Sequence, residues 1–183
     1  MTNVTDVTPE TDWVSGTWTI DPSHSEVGFT VRHLVSKVRG QFEKFEGTVT
    51  TGATVADTRA TATIDLNSVN TRDEGRDGHL RSADFFDVEK SGPMTFTTAS
   101  FDGQKAVGDL TLKGVTRPVE LDVEFLGIGG DPWGGTRAGF EATTEINRKD
   151  FGVSFEGIVD GGKILVGDKV TIHLAVEAVL NQD

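Results

Sequence analysis

From Lys169 the chain reads KVTIHLAVEAVL, with Val170, Ile172, Leu174, Val176, Ala178 and Leu180 at one parity and Lys169, Thr171, His173 and Glu177 at the other. Alternate residues of a strand point to opposite faces, so this segment is a strand with one apolar face. The pattern recurs. PVELDVEFL sets Val119, Leu121, Val123 and Phe125 against Glu120, Asp122 and Glu124, and RATATIDL aligns Ala60, Ala62, Ile64 and Leu66. EVGFTVR aligns Val27, Phe29 and Val31, and KAVGDLTLK aligns Ala106, Gly108, Leu110 and Leu112. Lys113-Gly114, Asp102-Gly103, the loop GIGGDPWGG and Gly161-Gly162 supply turns between such segments. The count is about eight strands joined by hairpin-like connections, an all-β meander.

Helical signal is confined to one place. Thr71-Arg72-Asp73-Glu74 fits a capping box, but Gly75 and Gly78 follow at once, so the expected helix is short, near residues 73–82. No amphipathic helix is long enough to cover a broad sheet. The apolar faces must then cover one another, which a single sheet achieves by closing into a barrel and losing its edges. The expected fold is therefore an eight-stranded antiparallel barrel with one or two short helices. Such an interior is either filled by side chains or holds one small ligand. Strands of about 11 residues span roughly 35 Å, so a cavity would be long and narrow and would suit an extended chain. The shared inward parity predicts a lining of Phe29, Val31, Phe96, Leu110, Leu121, Val123, Phe140, Leu174 and Val176.

Length and charge narrow the function. At 183 residues the chain is read as one domain over residues 13–183, preceded by a polar, acidic tail over residues 1–12 that is expected to be disordered. Zero cysteines remove disulfides, thiolate zinc sites and a cysteine nucleophile. A formal charge of -12 opposes nucleic-acid partners and anionic membrane surfaces. The first residues contain neither a basic n-region nor an apolar h-region, and no run is long enough for a membrane span, so a cytoplasmic location is expected. Eleven Phe, three Trp and no Tyr supply large apolar surfaces without phenolic hydroxyls that need partners.

Candidate chemistry is sparse. The four histidines, His24, His33, His79 and His173, show no metal-ligand spacing, and no metal or other cofactor is expected. Ser25 and His24 are strand neighbours facing opposite ways and cannot form a local nucleophile-base pair; His24 is read as ordering the start of its strand. His33 continues the Val27, Phe29, Val31 parity and would point inward, where a ring nitrogen needs a partner from the protein, water or a ligand. In Ile146-Asn147-Arg148-Lys149-Asp150-Phe151, Arg148 and Asp150 either close a barrel corner by pairing with each other or with backbone carbonyls, or Arg148 reaches a ligand head group. The segment from Asp77 to Phe86 reads as an element plugging one barrel end with Leu80, Phe85 and Phe86 inward, or as a lid through which a ligand enters.

The pieces Trp18-Thr-Ile-Asp-Pro-Ser-His-Ser-Glu-Val-Gly-Phe29, Gly40-Gln-Phe-Glu-Lys-Phe-Glu-Gly47, Asp77-Gly-His-Leu-Arg-Ser-Ala-Asp-Phe-Phe86, Gly108-Asp-Leu-Thr-Leu-Lys-Gly-Val-Thr-Arg-Pro-Val119 and Ile146-Asn-Arg-Lys-Asp-Phe-Gly152 occur in this order. In this the chain resembles the YceI-like family over residues 16–180. The resemblance implies a lipocalin-like barrel that binds a polyisoprenoid or other long-chain lipid, has no known catalysis, and forms a homodimer in some relatives. Many relatives are periplasmic and carry a leader. The expected role is non-enzymatic lipid binding, carriage or storage. The candidate contacts are the lining set above with His33, Phe85, Phe86, Arg148 and Phe151. Two other classes stay open: an enzyme acting on a small apolar substrate in the same cavity, and a solid-cored barrel that binds protein partners.

Overall fold

The computed structural model describes residues 13–159 and 163–182. The expected tail and the Gly161-Gly162 turn lie outside those residues. The strands are β1 (Gly16–Ile20), β2 (Glu26–His33), β3 (Ser36–Phe42), β4 (Phe45–Thr51), β5 (Arg59–Ile64), β6 (Val69–Asn70), β7 (Met94–Phe101), β8 (Lys105–Leu112), β9 (Val115–Gly130), β10 (Thr136–Asn147), β11 (Ile158–Val159), β12 (Lys163–Ile164) and β13 (Val166–Leu180). One α-helix, α1, spans Glu74–Arg81. The circuit β1-β4-β5-β7-β8-β9-β10-β13 closes through β1–β13 pairing, giving the eight-stranded antiparallel barrel that the alternation predicts.

The long strand β13 organises the molecule into two halves. Near its C-terminal end it pairs with β1 (Ile20↔Ala178), and towards its N-terminal end it pairs with β2 (Val170↔Val31). Between β1 and β2 a single 3-10 turn, Pro22–His24, interrupts the strand, and Asp21 caps it by accepting from the Ser23 N–H. Proline at its start has no N–H for the ladder, which explains why one continuous strand becomes two. The extension β2-β3-β6 therefore flanks one end of the circuit.

That end is solid. Phe42, Leu66, Val69, Phe85, Met94, Leu112, Ile146, Phe151 and Val153 form one buried cluster, with Phe29, Val31, Leu80 and Phe86 packed against it. Phe42 meets Phe29 and Phe86 at ring-centroid distances of 5.5 and 5.9 Å, and Phe155 meets Phe85 at 5.1 Å. The plug expected between Asp77 and Phe86 is present, with its apolar residues inward.

The capping box is not. Asp73, not Thr71, caps α1 and accepts from the Arg76 N–H at 2.9 Å. Asp77 is buried in the plug, and its carboxylate accepts from the Thr71 N–H at 2.8 Å and from the Thr71 hydroxyl at 2.5 Å. A buried carboxylate needs such donors, and supplying them commits Thr71 to Asp77.

The pairing of β9 with β10 shifts register at Gly139/Phe140: Phe125 faces Phe140, while Gly127 faces Gly139. Gly127 adopts φ of 128°, a conformation that glycine tolerates without steric cost. Phe125 and Ile128 both line the interior, whereas Leu126 is exposed. The extra residue reverses parity near the rim, as β-bulges do.

Candidate functional site: an apolar cavity in the open half

Inside the half bounded by β1, β4 and the C-terminal part of β13 lies a cavity of about 560 Å³. That is a size usual for a site holding one small molecule. Along β13 its wall runs from Ile172 to Ala178, about 20 Å at the rise of an extended chain. The space exists because many inward positions carry almost no side chain. Ala60, Ala62, Ala106, Ala138, Ala142 and Ala178 all line it. Gly108 is inward on β8, where an added Cβ would come within 2.6 Å of the Phe96 ring, so the missing side chain lets that ring lie across the strand.

Aromatic residues frame the space. Trp18 is fully buried and donates from Nε1 to the Thr51 hydroxyl at 3.0 Å. Trp13 donates from Nε1 to the Gly52 carbonyl at 2.9 Å, and its ring meets Phe125 edge to face at 6.0 Å. Trp13 thus joins the end of β4 to β9 across the mouth. Phe45, Phe96, Phe101 and Phe140 complete the aromatic wall.

Of the residues expected from the sequence, Phe96, Leu110, Leu121, Val123, Phe140, Leu174 and Val176 line this cavity. Phe29, Val31, Phe85, Phe86 and Phe151 do not; they belong to the packed cluster at the closed end. The expectation that every inward residue lines one channel along the whole barrel is corrected here, because the plug fills that half. The solid-cored alternative describes the closed half alone. His33 ends β2 opposite Ser36. It is half-buried, lines no part of the cavity, and its ring makes no hydrogen bond to the described residues.

Arg148 is 3% exposed and lies in the closed half. Its guanidinium donates to the carbonyls of Val153 (2.7 Å), Gly167 (2.8 Å) and Val166 (3.2 Å). Asp168 is 3.6 Å away, while Asp150 does not pair with it. This is the corner-closing arrangement. Asn147 caps the 3-10 turn Arg148–Phe151, and Gly152 ends it at φ of 74°, so the chain turns back over Arg148.

A second polar cluster forms on the outer face. Arg137 donates to Asp21 and Asp131, each at 2.9 Å, and to Glu177 at 3.3 Å. His24 Nδ1 lies 2.9 Å from Asp21, which bears out its role in ordering the strand start. The Arg137 guanidinium, then the Ser23 hydroxyl and His24, hold the Asp21 carboxyl far below the usual carboxylate range. Asp21, His24 and Glu177 bring ligand atoms within 4.8 Å of one another, but Arg137 already supplies the positive charge there.

The sequence reading named no site role for the small inward residues or for Trp13, Trp18, Ile20, Val49 and Ile128, all of which line the cavity. The alanines carry the right parity but a weak hydropathy signal. Trp13 acts through a loop contact, which periodicity does not report.

A family model for the YceI-like domain matches residues 18–178. UPF0312 protein SAS2572 of Staphylococcus aureus (strain MSSA476) is 38% identical over 171 residues, covering 90% of this chain and 98% of that protein. The solved Campylobacter jejuni YCEI protein superposes with a TM-score of 0.70 at 30% identity, over 88% of this chain and 96% of its own. Burkholderia cenocepacia BcnA gives a TM-score of 0.73 at 25% identity, over 86% and 98%. A polyisoprenoid binding domain from Saccharophagus degradans shares the fold with a TM-score of 0.65 at 18% identity, over 92% and 100%.

Proposed function

This chain belongs to the YceI-like family, and from that premise we propose that it binds, and so carries or stores, a long-chain isoprenoid or similar amphiphilic lipid without catalysing a reaction on it. The observation that carries this reading is the chemistry of the cavity wall. Among the described residues its titratable side chains are two carboxylates, Glu46 and Asp102, with no His, Lys or Arg beside them and no nucleophile hydrogen-bonded to either. General acid-base and nucleophilic catalysis need titratable groups converging on a reacting atom. An apolar wall of alanines, aliphatics and aromatic rings suits a hydrocarbon chain instead. The same fold in a solved polyisoprenoid binding domain supports the ligand class.

Magnitudes favour the tail as the source of affinity. Each buried methylene contributes about 0.8 kcal/mol, so a chain of about 20 carbons gains roughly 16 kcal/mol gross, before the costs of ordering and desolvation. A hydrogen bond to a charged head group adds roughly 1.5 to 3 kcal/mol net.

Native mass spectrometry of the purified protein, followed by organic extraction, tests the reading. A co-purifying species whose extract contains a long-chain lipid is expected. A protein that emerges ligand-free and fails to take up an added isoprenoid would overturn it.

A further inference from the structure

The cavity reaches equally deep on three of its walls. Its lining runs from Phe45 to Thr51 on β4, from Ala138 to Thr144 on β10 and from Ile172 to Ala178 on β13. Each such span covers about 20 Å along an extended strand, and the tilt of strands in a barrel shortens this to about 15 Å along the axis. The deep ends are in register. Thr144 faces Ile172 across β10 and β13, and Phe45, Ile64 and Met94 stand in one row across β4, β5 and β7.

That level is a floor one residue thick. Ile64, Met94 and Leu110 are buried residues that line the cavity and also belong to the cluster packed around the plug. The next inward residues, Leu112 after Leu110 and Ile146 after Thr144, belong to that cluster and line no part of the cavity. Behind the floor Phe42 meets Phe86 at a ring-centroid distance of 5.9 Å. Interiors packed in this way leave no gap for a chain to pass. An occupant that reached the floor could go deeper only by unpacking the plug.

A fixed depth sets a length. Carbon–carbon bonds of about 1.5 Å advance an extended chain by about 1.3 Å each, so about 12 backbone carbons reach from mouth to floor. Volume gives the upper bound. At about 30 Å³ per heavy atom, the share of a water molecule in the liquid, the 560 Å³ cavity holds roughly 19 such atoms in a bent chain. An isoprene unit puts four of its five carbons in the backbone, so the two bounds correspond to about three and about four units.

We propose that Ile64, Met94 and Leu110 form a length ruler, and that the cavity takes lipid chains of three to four isoprene units, about 15 to 20 carbons, while longer chains leave their excess outside the mouth. This inference rests on the reading that the cavity holds a long-chain lipid.

The test displaces a fluorescent isoprenoid with straight-chain alcohols of increasing length, from about 8 to about 22 carbons, a range that brackets both bounds. It compares the wild-type protein with Met94→Ala, Leu110→Ala and Ala62→Leu, each shown folded by circular dichroism. In the wild type, affinity should rise with length and break between about 12 and 19 carbons. Met94→Ala and Leu110→Ala each remove three heavy atoms from the floor and should move the break up by about two carbons. An alcohol two carbons past the wild-type break should then bind either variant about ten-fold tighter than it binds the wild type. Ala62→Leu adds three atoms next to Ile64 on the cavity side and should move the break down by about as much, which tests the ruler even if an enlarged floor does not fold. The shortest alcohols leave the cavity part empty with either floor and should bind the enlarged variants within about two-fold of wild type, a result that general loosening of the barrel would not give. A break that stays at one length in every folded variant, or affinity that climbs through the whole series without a break, would overturn the ruler and leave tail-driven binding intact. Affinity with no dependence on length anywhere in the series would overturn the cavity reading and the ruler with it.

Discussion

The two halves of this barrel are built from the same alternating strands, yet one is solid and the other hollow. In the closed half the inward positions carry Phe29, Phe42, Leu112 and Ile146, the plug adds Phe85 and Phe86, and Phe151 packs in from the 3-10 turn after β10. In the open half the same parity carries Ala60, Ala62, Ala106, Ala138, Ala142 and Ala178, and no α-helix of the described residues lines it. Hydrophobic alternation places a residue inside; residue size decides whether the inside is full. A barrel of eight strands sits at the diameter where that choice is open. The closed half anchors the fold, and the open half is free to hold a ligand.

The contrast predicts that substitutions in the two halves fail in different ways. The largest effect is expected for Phe42→Ala, which removes a ring packed between Phe29 and Phe86 and should lower unfolding free energy by about 3–5 kcal/mol. Urea denaturation measures that loss, and lipid affinity per folded molecule should stay within about two-fold, a small energy on the affinity scale. Arg148→Ala comes next. It strips three backbone carbonyls of their donor and should destabilise by about 3 kcal/mol, again without a matching loss of affinity. A folded Arg148→Ala protein that cannot bind lipid would break the division between the halves.

In the open half the signs reverse. Ala106→Phe projects a ring into the cavity from β8 and should displace two or three methylenes of ligand, weakening binding about 10- to 50-fold. Its thermal midpoint should not fall, because the ring enters space that is already empty. A loss of stability with unchanged affinity would mean that Ala106 is packed rather than facing free volume.

The smallest effect concerns the outer face, which belongs to neither half. The folded pKa of Asp21 is depressed, first by Arg137. A depressed carboxyl stabilises the fold fully above its unfolded pKa, near 3.9, and loses that contribution as pH falls towards the folded value. Asp21→Asn should therefore lower the urea midpoint by a constant amount above about pH 5, with the gap to wild type narrowing below about pH 4. A gap that widened in acid would contradict the Asp21–Arg137 assignment.

Much of the barrel was legible in the sequence because period-2 alternation survives through β8, over residues 115–125 of β9 and over residues 170–180 of β13. It fails where tertiary structure overrides it. The β9–β10 bulge changes parity after Phe125, and nothing local separates Leu126 from Ile128 as outer and inner. Phe29 and Phe140 have the same parity, but only the plug, brought in from residues 77–86, decides that the first is packed away. Arg148 reads as either corner or head-group contact until the carbonyls of Val166 and Gly167, from a different strand, are in place beside it.

The central claim is that the open half binds by enclosing an apolar chain. The most direct measurement is calorimetric titration of the wild-type protein with a series of straight-chain alcohols of increasing length. Tail-driven binding predicts that affinity rises about four-fold for each added methylene, at about 0.8 kcal/mol each, and levels off once the cavity is full. Affinity that is independent of chain length would show that the head group, or the outer surface, governs binding and would contradict the account.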